Sequence, residues 1–133
     1  MILVAGLGCR RGCSVEELHA LLRETLAEAR VEEGALTALA SSDAKALEAG
    51  LRSLAQRLKL PLELLPAQRL APYESRLSVV SERVRQASGS AGVAEAAALA
   101  LVEDLAERPA RLLLPKRRSA NATCALAWAP VTE

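Results

Sequence analysis

Two periodicities organise the apolar positions of this chain. Ile2 to Leu7 carries no polar side chain and is closed by Gly8, the pattern of a strand buried on both faces of a parallel sheet. Ser14-Val15-Glu16-Glu17 then spells a capping box, in which Ser14 and Glu17 satisfy the orphan amides of a helix start. Leu18, Leu21, Leu22, Leu26 and Ala29 keep helical spacing, so that helix runs to Arg30. Gly34 breaks the pattern, and Ala35 to Ala40 reads as a second short strand. Ser41-Ser42-Asp43 offers an N-cap for the next helix, where Leu47, Leu51, Leu54 and Leu58 line one stripe. Pro61 stops it, and Leu62 to Leu65 forms a third strand.

Beyond Pro66 the pattern weakens. Residues 66–75 read as loop. Leu77, Val80, Val84 and Ala87 suggest a short helix, though Ser78-Val79-Val80 reads equally well as extended, before the break Ser88-Gly89-Ser90-Ala91-Gly92. Val93 to Ala106 is so rich in Ala, Leu and Val that this helix must be covered on most of its surface. Pro109 separates it from a strand at Leu112–Leu114. A basic turn from Pro115 to Asn121 follows, and Ala122 to Ala129 closes the pattern as a strand. Strands alternating with helices predict βαβ units within a single domain over residues 1–133. The last two strands are too close for a parallel crossover, which needs about a dozen residues or more, so the final one runs antiparallel. The expected architecture is an α/β fold: a three-layer α/β/α sandwich with a mixed, mainly parallel five-stranded sheet.

Composition narrows the function more than the fold. Of 133 residues, 51% are hydrophobic and 25% charged, as in a globular domain. Lys and Arg exceed Asp and Glu by one, so no bulk charge favours nucleic acid or an anionic membrane. Any anion must be held by local charge. Ala (27) and Leu (25) dominate, Phe is absent, and Tyr73 and Trp128 are the only aromatics; this argues against a stacking platform for single-stranded nucleic acid. No apolar run approaches the ~20 residues of a membrane span. Met1 to Leu7 lacks the basic start and apolar length of a signal peptide. Three cysteines without an export signal are expected to be reduced thiols in the cytoplasm.

In open α/β sheets, ligands gather beyond the carboxyl ends of the parallel strands. Those ends carry Gly8-Cys9-Arg10-Arg11-Gly12, then Ser41-Ser42-Asp43-Ala44-Lys45, then Lys116-Arg117-Arg118, with Asn121 to Thr123 nearby. Arginines, lysines and hydroxyls converging on one edge suit a ligand bearing carboxylates or phosphates. Gly6-x-Gly8-x₃-Gly12 is one residue longer than a dinucleotide fingerprint and holds two arginines, and a second nucleotide-binding half is missing. Nucleotide binding is not the expectation. Cys9, Cys13, Cys124 and His19 could nominally form a Cys₃His zinc site. However, a second ligand pair is missing and His19 falls on the polar side of its helix, so neither metal nor cofactor is expected. No Ser-His-Asp set is present. Acid–base work would fall on Glu95 or Glu48, with Asp43 and His19 behind them. Glu95 also fits an N3 capping role after Gly92, and Lys45 with Glu48 fits a surface pair.

Four segments in order resemble the CobE / CbiG C-terminal domain family of cobalamin biosynthesis: Gly6-Leu-Gly-Cys-Arg-Arg-Gly12; Ala40-Ser-Ser-Asp-Ala-Lys45 with Glu48-Ala-Gly-Leu51; Gly92-Val-Ala-Glu-Ala-Ala-Ala-Leu99; and Lys116 with Thr123-Cys-Ala-Leu-Ala127. The resemblance spans essentially the whole chain; Cys13 departs from it where a small hydroxyl residue is expected. It implies a role on the way to the corrin ring, most like the stand-alone CobE form of the aerobic pathway. Longer relatives open the δ-lactone of cobalt-precorrin-5A. A precorrin or corrinoid intermediate is therefore the expected ligand, met by Gly8, Cys9, Arg10, Arg11, Gly12, Ser41, Ser42, Lys45, Lys116 and Thr123. The segment 66–92, with Tyr73, is expected to act as a lid over the ring. Lactone hydrolysis through Glu95 or Glu48, and an adaptor role towards other enzymes of the pathway, are the competing readings.

Overall fold

The structure, a computed structural model, describes residues 1–76 and 92–131. Five strands, β1 (Ile2–Cys9), β2 (Ala38–Ser42), β3 (Leu62–Leu65), β4 (Arg111–Arg118) and β5 (Ala122–Ala129), form one sheet in the order β3-β2-β1-β5-β4. β1, β2 and β3 are parallel, and β5 runs antiparallel to both β1 and β4. The carboxyl ends of β1 to β4 and the start of β5 therefore share one edge. The mixed sheet with helices on both faces matches the architecture expected from the alternation.

Strand alternation sorts the core into two layers. Leu3, Ala5, Leu7 and Cys9 face helices α1 (Val15–Ala29) and α2 (Ala49–Leu58), whose leucines complete that cluster. Val4 faces the other layer, built on the later helix over Val93–Ala106. A four-residue helix, α3 (Ala67–Leu70), and a 3₁₀ segment (Ala71–Arg76) precede that long helix, here α4, and pack against it. Residues 94 to 102 of α4 are all buried, as its uniformly apolar composition requires. A Cβ on Gly6 would lie 1.8 Å from the carbonyl oxygen of Ala94, so the glycine permits α4 to rest on the β1 backbone.

Several boundaries differ from the pattern reading. Glu33–Ala35 is a 3₁₀ turn, so β2 starts at Ala38 and continues through Ser41 and Ser42. Leu47 lies ahead of α2 and is 90% exposed, outside the apolar stripe it was expected to begin. Lys116, Arg117 and Arg118 belong to β4, and only residues 119–121 turn into β5. β4 is an edge strand with register shifts between Leu112 and Leu114 and between Leu114 and Arg117. Such an edge tolerates Pro115 and the cations that read as a turn. His19 is 8% exposed rather than on a polar face. Its Nε2 lies 2.8 Å from Glu33 Oε2 and its Nδ1 3.4 Å from Arg57 Nη1, partners that make an imidazole tolerable under α2. The helix expected near Leu77–Ala87, and the break that follows to Ala91, lie outside the described residues. No helix among the described residues is long and apolar enough to cross a membrane.

Candidate functional site

The loop after β1 is a tight turn. Cys13 N–H donates to Arg10 O at 3.1 Å, and Gly12 takes φ +78°, the left-handed value demanded of the third residue of a type II turn. Arg10 and Arg11 thus project from a reversed backbone, and both are exposed. Two outside bonds hold the turn: Arg10 N–H donates to Asn121 O at 2.8 Å, and Gly12 N–H to Glu48 Oε1 at 2.8 Å. Among the described residues neither guanidinium has a hydrogen bond or ion pair.

Asn121 is fixed in turn by Glu17. Ser14 Oγ accepts the Glu17 N–H at 3.1 Å, half of the expected capping box. The Glu17 carboxylate reaches not back to Ser14 but across to the β4–β5 turn. It accepts the Ser119 hydroxyl, Asn121 N–H at 2.7 Å and Asn121 Nδ2 at 3.0 Å. These donors hold its carboxyl below the usual carboxylate value. Glu17 is the supporting residue that local reading missed, because the i, i+3 signature in sequence is the same for either partner.

From β2, the two serines separate in role. Ser41 is fully buried and donates its hydroxyl to Leu7 O at 2.6 Å, stitching β2 to β1. Ser42 Oγ caps the 3₁₀ turn Asp43–Lys45 by accepting Ala44 N–H at 3.1 Å. Lys45 and Glu48 bracket Cys9 electrostatically, while burial raises the Cys9 thiol. From β5, Thr123 sits opposite Gly8, and its Oγ1 lies 2.7 Å from where a Gly8 Cβ would stand. Gly8 thus leaves room for that hydroxyl on the α4 side of the sheet.

The basic end of β4 divides. Arg117 forks onto Glu28 of α1, with Nε–Oε2 at 2.8 Å and Nη2–Oε1 at 2.6 Å, so it is removed from the edge it was expected to furnish. Arg118 is exposed and in register with Thr123. Lys116 donates its backbone N–H to Glu95 Oε2 at 2.9 Å, within the irregular stretch of β4. The arrangement brings Arg10, Arg11, Ser42, Lys45 and Thr123 to one edge, with Gly8, Cys9 and Gly12 forming its floor and turn.

Nucleophilic chemistry finds little support there. Glu95 is fully buried and accepts a backbone donor, and Glu48 clamps Gly12. Burial, with Glu17 beside it, pushes the Cys13 thiol up to about 11, and burial pushes Cys124 up to about 12, so neither is a thiolate near neutrality. His19 pairs with Glu33 and Arg57, and no cluster of three metal-ligating side chains occurs among the described residues. Tyr73, part of the segment expected to act as a lid, donates to Glu103 Oε1 at 3.0 Å and packs against the α4 layer. The rest of the expected lid, residues 77–91, lies outside the described residues.

Against this geometry, the model of the family described as cobalamin synthesis G C-terminus matches residues 3–127. The chain belongs to this family of cobalamin biosynthesis. Protein CobE of Sinorhizobium sp. is 43% identical over 125 residues, covering 94% of this chain and 79% of that protein. Cobalt-precorrin-5A hydrolase of Priestia megaterium is 30% identical over 129 residues, and there the chain spans only 33% of the relative's length. A crystal structure of CobE, a protein of the cobalamin biosynthetic pathway, superposes with TM-score 0.90 at 46% identity, covering 99% of this chain and 93% of that one. Cobalamin biosynthesis protein chiG from Agrobacterium tumefaciens superposes with TM-score 0.72 at 32% identity, over 99% and 100% of the two chains. The family assignment agrees with the resemblance carried by the four ordered segments.

Proposed function

We propose that this family member binds a precorrin or corrinoid intermediate in the cytoplasm as a carrier or accessory factor. The carboxylate side chains of the ring meet Arg10, Arg11 and Lys45, while Ser42 and Thr123 supply hydroxyls. One observation carries the reading: two guanidiniums are held on a turn braced from Asn121 and Glu48, yet neither has a partner among the described residues. Arg117, Arg69 and Arg57, by contrast, each reach an acid on another element. Arginines left open on a fixed turn suit bidentate capture of carboxylates. The commitment of Glu48 and Glu95 to backbone donors favours binding over lactone hydrolysis, the activity named for the longer relative. Other enzymes of the pathway are proposed as recipients of the bound pigment.

Anaerobic titration with hydrogenobyrinic acid, read by visible absorbance and co-elution, tests this. Retention of the unchanged pigment, lost in the Arg10→Ala, Arg11→Ala variant, is the expected result. Absence of retention by the wild-type protein refutes binding, and release of an altered pigment would favour an enzyme.

A further inference from the structure

Among the described residues, large apolar side chains left in water sit almost entirely away from the candidate site. Met1 precedes β1, Leu105 is at the far end of α4, and Val131 follows β5; all three lie towards the amino end of β1. Leu47 is the exception among the described residues. It is 90% exposed and belongs to the segment that joins Ser42 and Lys45 to α2. A loose leucine there would mean little, but the segment is tied on every side. Ala46 N–H donates to Asp43 O at 3.1 Å, and Glu48 N–H to Lys45 O at 3.0 Å. Arg52 holds the Ala46 carbonyl, and the Glu48 carboxylate clamps Gly12 in the arginine turn. The backbone therefore presents Leu47 outward at a fixed position, one bond network away from Arg11.

We infer that Leu47 is the apolar contact for the macrocycle, positioned beside the cationic rim to meet the ring while Arg10, Arg11 and Lys45 meet its carboxylates. The inference rests on the ligand class proposed above. A corrin-type ring is a broad apolar body edged with acids, and its recognition needs apolar contact next to cations. This edge has no aromatic to supply it, since Tyr73 is engaged on α4 and Trp128 faces the α1 layer near the opposite end of β5. A protein partner fits less well. One exposed leucine falls far short of the ~800 Å² that each side of a standard protein interface contributes.

Titration with hydrogenobyrinic acid at several salt concentrations tests the assignment in Leu47→Ala, Leu47→Met and Arg10→Ala. Leu47→Ala is expected to weaken binding about tenfold, from the apolar area withdrawn, with an unchanged salt dependence. Leu47→Met, which keeps the apolar reach, restores most of it. Arg10→Ala weakens binding and also flattens the salt dependence, because a charge contact is removed. Because Leu47 touches so little of the fold, its variants should unfold at the wild-type midpoint. If Leu47→Ala binds as wild type while Arg10→Ala fails, the leucine assignment is overturned and the corrinoid reading stands. If the wild-type protein retains no pigment, both fall together.

Discussion

Replacing Gly6 by alanine is the sharpest test of how the site is held. The added Cβ would stand 1.8 Å from Ala94 O, 2.9 Å from Ala94 C and 2.9 Å from Ala98 N. All three are backbone atoms of α4, so no rotamer change relieves them. Reaching the 3.4 Å of ordinary contact requires α4 to retreat by about 1.6 Å, which opens the interface of its long buried run with β1. Overpacking of a rigid core typically costs ~1–3 kcal/mol, and a backbone clash of this depth belongs at the upper end, about 3 kcal/mol. For a domain of this size that corresponds to a fall in Tm of about 10 °C. Gly8→Ala is the control. Its Cβ meets only the Thr123 hydroxyl at 2.7 Å, a side-chain obstacle that can rotate, so a loss of about 1 kcal/mol or less is expected. Thr123→Ala combined with Gly8→Ala should relieve it. Urea unfolding of the variants, followed by circular dichroism, reads all of these. A Gly6→Ala protein within about 0.5 kcal/mol of wild type would refute the close approach of α4 to β1.

Other expectations follow from the same contacts. Glu95→Ala leaves the Lys116 N–H without this acceptor and is expected to destabilise by about 1–3 kcal/mol before any cavity term, whereas Glu95→Gln keeps an acceptor oxygen and costs less; equal losses by chemical denaturation would discount the bond. Glu17, Glu28 and Glu33 are all held below the ordinary carboxylate value of 4.5 by their donors. Their contribution to stability is therefore complete above that value and is lost as pH falls through the lower folded values. Unfolding midpoints should drop on acidification, and less steeply in Glu17→Gln; an identical acid profile would count against the Glu17 latch. Thiol titration with an aromatic disulfide near neutral pH should leave Cys124 unlabelled until denaturant is added, given its burial and a thiol near 12. Rapid labelling of Cys124 in the native protein would contradict the packing of β5 under α1.

Local chemistry made much of this protein legible before any tertiary structure. The β1 run, the Ser14 cap, the Pro61 stop and the uniformly apolar α4 each follow from the backbone needs of a few neighbouring residues. They suffice for the layered α/β architecture and for the sheet edge that carries the candidate site residues. The antiparallel last strand was readable because a short connection leaves no room for a crossover. What could not be read locally depends on partners far apart in sequence. Glu17 looks like a helix cap until Asn121 arrives beside it, and Arg117 looks like a ligand contact until Glu28 takes it. His19 looks solvated until Glu33 and Arg57 cover it, and Leu47 looks like core until α2 starts beyond it. In each case the side chain had more than one satisfactory local role, and the choice was made by whichever donor, acceptor or apolar surface the packed sheet brought within reach.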